Sequence, residues 1–254
     1  MEECYDIEAY ARLVERIQAS GRPLTGFQPN AVAGCLLRLD IDYDLDWAVR
    51  TAEINASHGV AATYFVLMSA ELYNPASADG RRAVERLAEL GQILGLHYHH
   101  REAGPLDRWR LEQEFSWLAD LAPSAQRVVA WHNPEGDLAP LNLAAAEAGF
   151  VSAYDLRWFG PDRYVSDSNL RHMPEAIAQF VETASEPLVQ VLLHPFNWIA
   201  GGAAMDDILG RTLAHKIDLL LEAFDGNRVW RQSAGPPIRT AIHASDWYRK
   251  DRRP

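Results

Sequence analysis

The run Ala31-Val32-Ala33-Gly34-Cys35-Leu36-Leu37-Arg38-Leu39-Asp40-Ile41-Asp42 sets the pattern for the whole chain. The apolar run begins at Ala31 and reaches Asp40, without the alternation of a strand that has one wet face. Such a run predicts a strand buried on both sides, the kind found in parallel sheets. Downstream, residues 45–57 carry a helical pattern ended by Gly59, and the alternation then repeats. Strands are expected over 60–67, 92–97, 126–131, 150–154, 163–167 and 187–193, and helices over 79–90, 107–121, 138–148, 174–183 and 206–224. Upstream, Ile7, Tyr10, Leu13 and Ile17 form one stripe of a helix over 7–20, stopped by Gly21 and Pro23. Seven strands, most followed by a helix, mean parallel pairing with right-handed crossovers. No repeat or low-complexity tract interrupts the series. Residues 1–254 therefore read as one α/β domain, with an N-terminal helix at 7–20, a core over 31–225 and a tail over 228–254 expected to wrap the surface.

The length of 254 residues suits one large α/β domain. The chain carries 24 Lys+Arg against 35 Asp+Glu, a net charge of -11. That balance argues against non-specific nucleic-acid binding and against anionic membranes, which both need a basic face. It leaves a neutral, sugar-like ligand open. Two cysteines, Cys4 and Cys35, make no disulfide framework, and Cys35 reads as a buried thiol. No leader pattern and no apolar stretch long enough for a membrane span is visible, so a cytoplasmic chain is expected. No Gly-x-Gly-x-x-Gly and no Walker loop follows the first strand, which weakens a nucleotide-binding reading. The sequence carries no signal for oligomeric state.

The polar residues that stand out lie at strand C-terminal ends, where α/β folds build their sites. Asp40 and Asp42 share one face of the first strand, roughly 6–7 Å apart. Two ionised carboxylates so placed repel unless a metal ion or another cation relieves them. Asp44 reads as the N-cap of the next helix. The third strand ends Gly95-Leu96-His97-Tyr98-His99-His100. Imidazoles at one strand end with carboxylates at another make a His/Asp metal set. His97 pairs with His99 if the strand continues and with His100 if the chain turns helical. The fourth strand ends Trp131-His132-Asn133-Pro134-Glu135-Gly136, which places His132 at a rigid turn as a ligand, an orienting group or a core imidazole. The seventh ends Leu192-Leu193-His194-Pro195-Phe196-Asn197-Trp198, and His194 at the same edge is a candidate general acid or base. Trp131, Asn133 and Trp198 are the candidates for substrate contact. Phe196 and Trp158 complete a possible sugar-stacking wall, although core packing is the commoner use of any one aromatic. His58, His172, His215 and His243 have no such setting and are assigned no role.

This ordered set resembles the polysaccharide deacetylase superfamily, of the NodB-homology or carbohydrate esterase family 4 type. More narrowly it resembles the WbmS-like deacetylases of O-antigen biosynthesis clusters. The resemblance spans residues 33 to about 200 and rests on the order of the motifs. It implies an irregular (β/α)7, TIM-barrel-like fold. In Asp40-Ile41-Asp42 it makes Asp40 the catalytic base and Asp42 a metal ligand. It makes His97 a second ligand. The partner expected four positions on would be Arg101, so that ligand is displaced to His100 or His99. Where the family carries Arg-Pro-Pro-Tyr-Gly, this chain has His132-Asn133-Pro134-Glu135-Gly136. The Arg that braces the base is thus missing there, and His132 is open to a metal role. Asp167 is the first choice, and Asp155 the second, for the carboxylate that tunes the catalytic His. Leu192-Leu193-His194 matches the family's Leu-x-His.

The resemblance implies hydrolysis of an N-acetyl group, less readily an O-acetyl group, on a sugar in polysaccharide or O-antigen biosynthesis. It implies a divalent cation held among Asp42, His97, His100 and His132, with zinc first and cobalt or nickel next. Asp40 would take a proton from the attacking water, and His194, held by Asp167, would protonate the leaving amine. Two other readings stand beside it. One is an amidohydrolase, metal-dependent or metal-free, acting on a small amide or ureide. The other is a catalytically silent sugar-binding barrel, fed by the displaced second His and the missing Arg.

Overall fold

The computed structural model describes residues 3–100 and 105–250. Arg101 and the last four residues of the tail lie outside the described residues. All seven expected strands form: β1 (Gly34–Ile41), β2 (Thr63–Leu67), β3 (Ile93–Tyr98), β4 (Val128–Trp131), β5 (Val151–Ser152), β6 (Tyr164–Ser166) and β7 (Leu188–Leu193). They make one sheet in the order β5-β4-β3-β2-β1-β7-β6. Every pairing in it is parallel. The helices α1 (Ile7–Ala19), α2 (Leu45–Ser57), α3 (Ala78–Glu89), α4 (Arg108–Leu121), α5 (Ala139–Glu147), α6 (Pro174–Thr183), α7 (Pro195–Ala200) and α8 (Met205–Phe224) surround it. The sheet curls into an irregular (β/α)7 barrel, left open between β5 and β6. The segment after β5 crosses that opening. Gln190 of β7 donates from Nε2 to the carbonyl of Ala153 at 3.1 Å, and Trp158 donates from Nε1 to the carbonyl of Ser152 at 3.1 Å.

β1 is buried along its whole length, as its unbroken apolar run requires, and so is β7. These two interior strands are covered on both faces, the usual condition of a parallel sheet. Gly95 serves the packing of β3. A Cβ there would stand 2.6 Å from Val128 Cγ1 and 2.9 Å from the Phe65 ring. Its absence lets β2 and β4 side chains fill the space two residues below His97. Asp44 caps α2 by accepting from Trp47 N–H at 3.0 Å. It also accepts from His215 at 3.1 Å and from Lys216, so α8 is tied to the start of α2. His215 lies over the Trp47 ring with centroids 4.7 Å apart. Cys35 is buried, and burial pushes its thiol up to about 12, which makes it inert.

The tail, for which only a surface wrap was expected, is helical. A π-helical turn (Trp230–Ala234) leads into α9 (Gly235–Ala244), followed by α10 (Asp246–Lys250). Pro236 and Pro237 lack N–H groups, so the helical ladder is broken there, and the wider π turn just before them absorbs the mismatch. The tail folds back on α8 through Arg239, which donates to Asp225 at 2.8 Å and to the Leu221 carbonyl at 3.2 Å. The short α7 was also not expected. It begins at Pro195, whose ring pre-sets the first turn. No described helix is long and apolar enough to cross a membrane.

Candidate active site

Five side chains singled out by the sequence converge at the C-terminal edge of the sheet. Asp42 follows β1, His97 lies in β3, His132 follows β4, Asp167 follows β6 and His194 follows β7. Tyr73 fixes the end of β1 by donating its hydroxyl to the Ile41 carbonyl at 2.8 Å and accepting from Leu67 N–H at 2.9 Å.

Asp42 Oδ1, His97 Nε2 and His132 Nδ1 form a nearly equilateral triangle. Its sides are 3.2 Å from Asp42 to His97, 3.3 Å from Asp42 to His132 and 3.1 Å between the two rings. Ligands placed tetrahedrally at metal–nitrogen and metal–oxygen lengths lie about 3.3–3.4 Å apart, so the triangle has the size of one face of a metal's coordination shell. The donor chemistry agrees. His97 Nδ1–H donates to the Ala130 carbonyl at 2.9 Å, which fixes the proton on that nitrogen. Its Nε2 is then a lone pair aimed at a carboxylate and at a second imidazole. A carboxylate oxygen and two imidazole nitrogens converging in this way can be bridged by one cation. Asp42, His97 and His132 are therefore a group able to hold a metal ion. Burial alone would raise the pKa of Asp42, but the His132 hydrogen bond and the His194 charge hold it far below the ordinary carboxylate value.

Asp40 lies two residues earlier on the same face and is 2 % exposed. Its two oxygens accept from Arg38, Oδ1 from Nε at 2.8 Å and Oδ2 from Nη2 at 2.6 Å. Arg38 is itself fully buried. Its Nη2 also donates to the Tyr154 hydroxyl at 3.1 Å, and its guanidinium carbon lies 4.6 Å from the centre of the Tyr154 ring. Burial would raise the pKa of Asp40, and the Arg38 charge overrides it and holds the group below its ordinary value. Asp40 Oδ2 stands 3.7 Å from His97 Nε2, beside the triangle. The sequence reading missed Arg38. The signal was a single charge inside the apolar run, two residues before Asp40 and hence on the same side of the strand.

His194 is oriented by Asp167, which is fully buried. The ring Nδ1–H donates to Asp167 Oδ1 at 2.6 Å, and the backbone N–H of His194 donates to Oδ2 at 2.9 Å. Burial would lower the pKa of His194, yet the Asp167 charge and hydrogen bond push it up to about 9. Its Nε2 faces the site, 3.8 Å from Asp42 Oδ2.

Other expected site residues fall elsewhere. Trp198 is fully buried, packed edge-on against Tyr5 and Tyr10, and donates from Nε1 to Asp167 Oδ2 at 2.9 Å. Trp131 is 1 % exposed and donates from Nε1 to Asn142 at 2.9 Å. Neither ring presents a face to a sugar. Both anchor polar groups from within the core, because an indole buried this deeply needs a partner for its N–H. Trp158 is likewise buried. The aromatic pair at the edge is Tyr43 and Phe196, with centroids 4.6 Å apart, and Phe196 lies 5.9 Å from the His194 ring. Asn133 is exposed, at a positive φ of 46° that asparagine tolerates, with its amide 3.1 Å from His132 Nε2. His99 meets the His132 ring edge-on at 5.1 Å. His100 is half-buried and outside the Asp42–His97–His132 group. Asp155, the second choice to tune the catalytic His, is instead paired with Arg157 at 2.9 Å.

No protein-family model and no curated protein matches the chain. Solved structures of similar shape do. A CE4 family pseudoenzyme from Bacillus anthracis aligns with a TM-score of 0.49 and 16% identity, over 76% of this chain and 63% of that one. The chain thus spans less than two thirds of that protein's length. A chitin deacetylase from the fungal pathogen Colletotrichum lindemuthianum aligns at 0.44 and 16%, over 72% and 81% of the two chains. A CE4 esterase from Streptococcus mutans aligns at 0.46 and 16%, over 76% and 79%.

Proposed function

We propose that the chain is a metal-dependent carbohydrate deacetylase. In this reading it removes an N-acetyl group from a sugar in polysaccharide or O-antigen biosynthesis, working in the cytoplasm as one domain. Zinc is the first metal for an Asp/His set of this kind, with cobalt and nickel as fitting alternatives. The observation that carries the reading is the Asp42–His97–His132 triangle with sides of 3.1–3.3 Å, flanked by an Arg-braced Asp40 and an Asp-oriented His194.

Asp42, His97 and His132 are the residues that would hold the cation. When bound, it supplies polarisation of an amide carbonyl and a lowered pKa for a nearby water. The chain's own groups supply the proton transfers. Asp40, ionised beside the triangle, accepts the proton of the attacking water as the carbon–oxygen bond forms. His194, with its pKa pushed up to about 9, is protonated at neutral pH. From Nε2 it gives its proton to the sugar nitrogen as the carbon–nitrogen bond breaks. An amine leaves poorly unless protonated, so the acid is needed as much as the base. The products are acetate and the free amino sugar.

The test is acetate release from a panel of acetamido sugars, O-acetyl sugars, small amides and cyclic ureides, with metal-free protein and with zinc, cobalt or nickel restored. Metal-dependent release from acetamido sugars supports the reading. Hydrolysis of a ureide with no action on acetamido sugars overturns it.

A further inference from the structure

We propose that Arg38 is the positioning residue of Asp40, aiming its carboxylate from the same face of β1. The inference rests on the deacetylase reading. Its basis is a guanidinium and a carboxylate two residues apart on one strand, paired through both carboxylate oxygens at 2.8 and 2.6 Å with neither group open to solvent. The strand pleat fixes the spacing of such a pair, so no loop motion can misalign it. Arg38 is in turn confined by the Tyr154 hydroxyl at 3.1 Å and by the Tyr154 and Phe65 rings, whose centres lie 4.6 and 5.4 Å from its guanidinium carbon. With both oxygens engaged from below, the carboxylate has one orientation, and that orientation puts Oδ2 3.7 Å from His97 Nε2.

A buried ion pair seldom adds net stability over an apolar pair of the same volume. Packing alone therefore does not account for this one, whereas aiming a proton acceptor does. The guanidinium is supplied from the strand that carries the base, while the turn after β4, held by a His132 N–H to Tyr98 carbonyl bond of 2.8 Å, places His132 Nδ1 3.3 Å from Asp42 Oδ1.

The experiment compares wild type, Arg38→Met, Arg38→Lys, Asp40→Asn and Arg38→Met/Asp40→Asn. Each is assayed for acetate release and titrated calorimetrically with zinc starting from metal-free protein. Arg38→Met is expected to lower kcat at least about 100-fold with KM and zinc affinity within about threefold, the signature of a group that acts on the transition state alone. Arg38→Lys recovers at least about tenfold of that loss, because an ammonium still reaches one oxygen. The double variant is no slower than Asp40→Asn within about threefold, since the two residues act as a unit. Should Arg38→Met fail to fold, Arg38→Lys and the double variant, which buries no unpaired charge, carry the same comparison. The inference is overturned by a wild-type kcat in Arg38→Met, by zinc affinity that falls with activity, or by losses that simply multiply. A wild-type chain that binds zinc and releases no acetate overturns the deacetylase reading itself, and this inference with it.

Discussion

The carboxylate of Asp167 meets His194 twice, Oδ1 accepting from the ring Nδ1–H at 2.6 Å and Oδ2 from the backbone N–H at 2.9 Å. The end of β6 is thereby fastened to the end of β7, and the imidazole is held in the tautomer that points Nε2 into the site. A group gripped this way is stabilised in its charged form, and its consequences reach stability as well as chemistry.

The first prediction concerns pH. In the folded chain His194 is pushed up to about 9 from the ordinary 6.5, burial opposing and Asp167 prevailing. A raised pKa adds stability that is complete below the unfolded value and is lost as pH rises through the folded one. Urea unfolding of the metal-free protein should therefore show stability falling from about pH 6.5 to about 9, by roughly 3 kcal/mol. Asp167→Asn should flatten that slope. A decline of equal size in the variant would remove Asp167 as its cause.

Asp40→Asn keeps the shape of the side chain and removes the proton acceptor. Acetate release should fall by about 100-fold or more, the usual contribution of a positioned base, while zinc still binds. Full activity in this variant would dismiss Asp40 as the base.

Metal affinity should separate the histidines. His97→Ala and His132→Ala each remove one corner of the triangle and should weaken zinc more than about 100-fold by calorimetry, beyond what a lost supporting group costs. His100→Ala should leave affinity within about threefold. The opposite ranking would move the third ligand to His100. Treatment with a chelator should abolish acetate release, and added zinc should restore it.

Trp198→Phe retains a ring against Tyr5 and Tyr10 but deletes the N–H that Asp167 accepts at 2.9 Å. Loss of a hydrogen bond to a buried carboxylate should cost about 2 kcal/mol in urea unfolding, with kcat lowered and KM unchanged. A rise in KM at constant stability would instead mean that the indole touches the sugar.

The sequence by itself determined the order of strands and helices and the positions of the polar groups at strand ends. Helical and strand periodicity, glycine stops and proline breaks are local, so helix expectations over 45–57 and 174–183 coincide with α2 and α6. The same locality explains why no helix was expected in the tail. Pro236 and Pro237 signal a break, and only the π turn beside them shows how a helix accommodates it. Which groups face one another was decided by the tertiary structure. His97 and His132 are 35 residues apart, and His194 and Asp167 are 27 apart. They meet because β3 pairs with β4 and β6 with β7 in register, and because the sheet curls its edge inward. His97 therefore finds His132 across the ladder, although His99 and His100 are far nearer in sequence. Arg38 and Asp40 stand between the two cases. Their shared face follows from the alternation of a strand, but a guanidinium in an apolar run shows its purpose only once burial leaves it a single carboxylate to pair with.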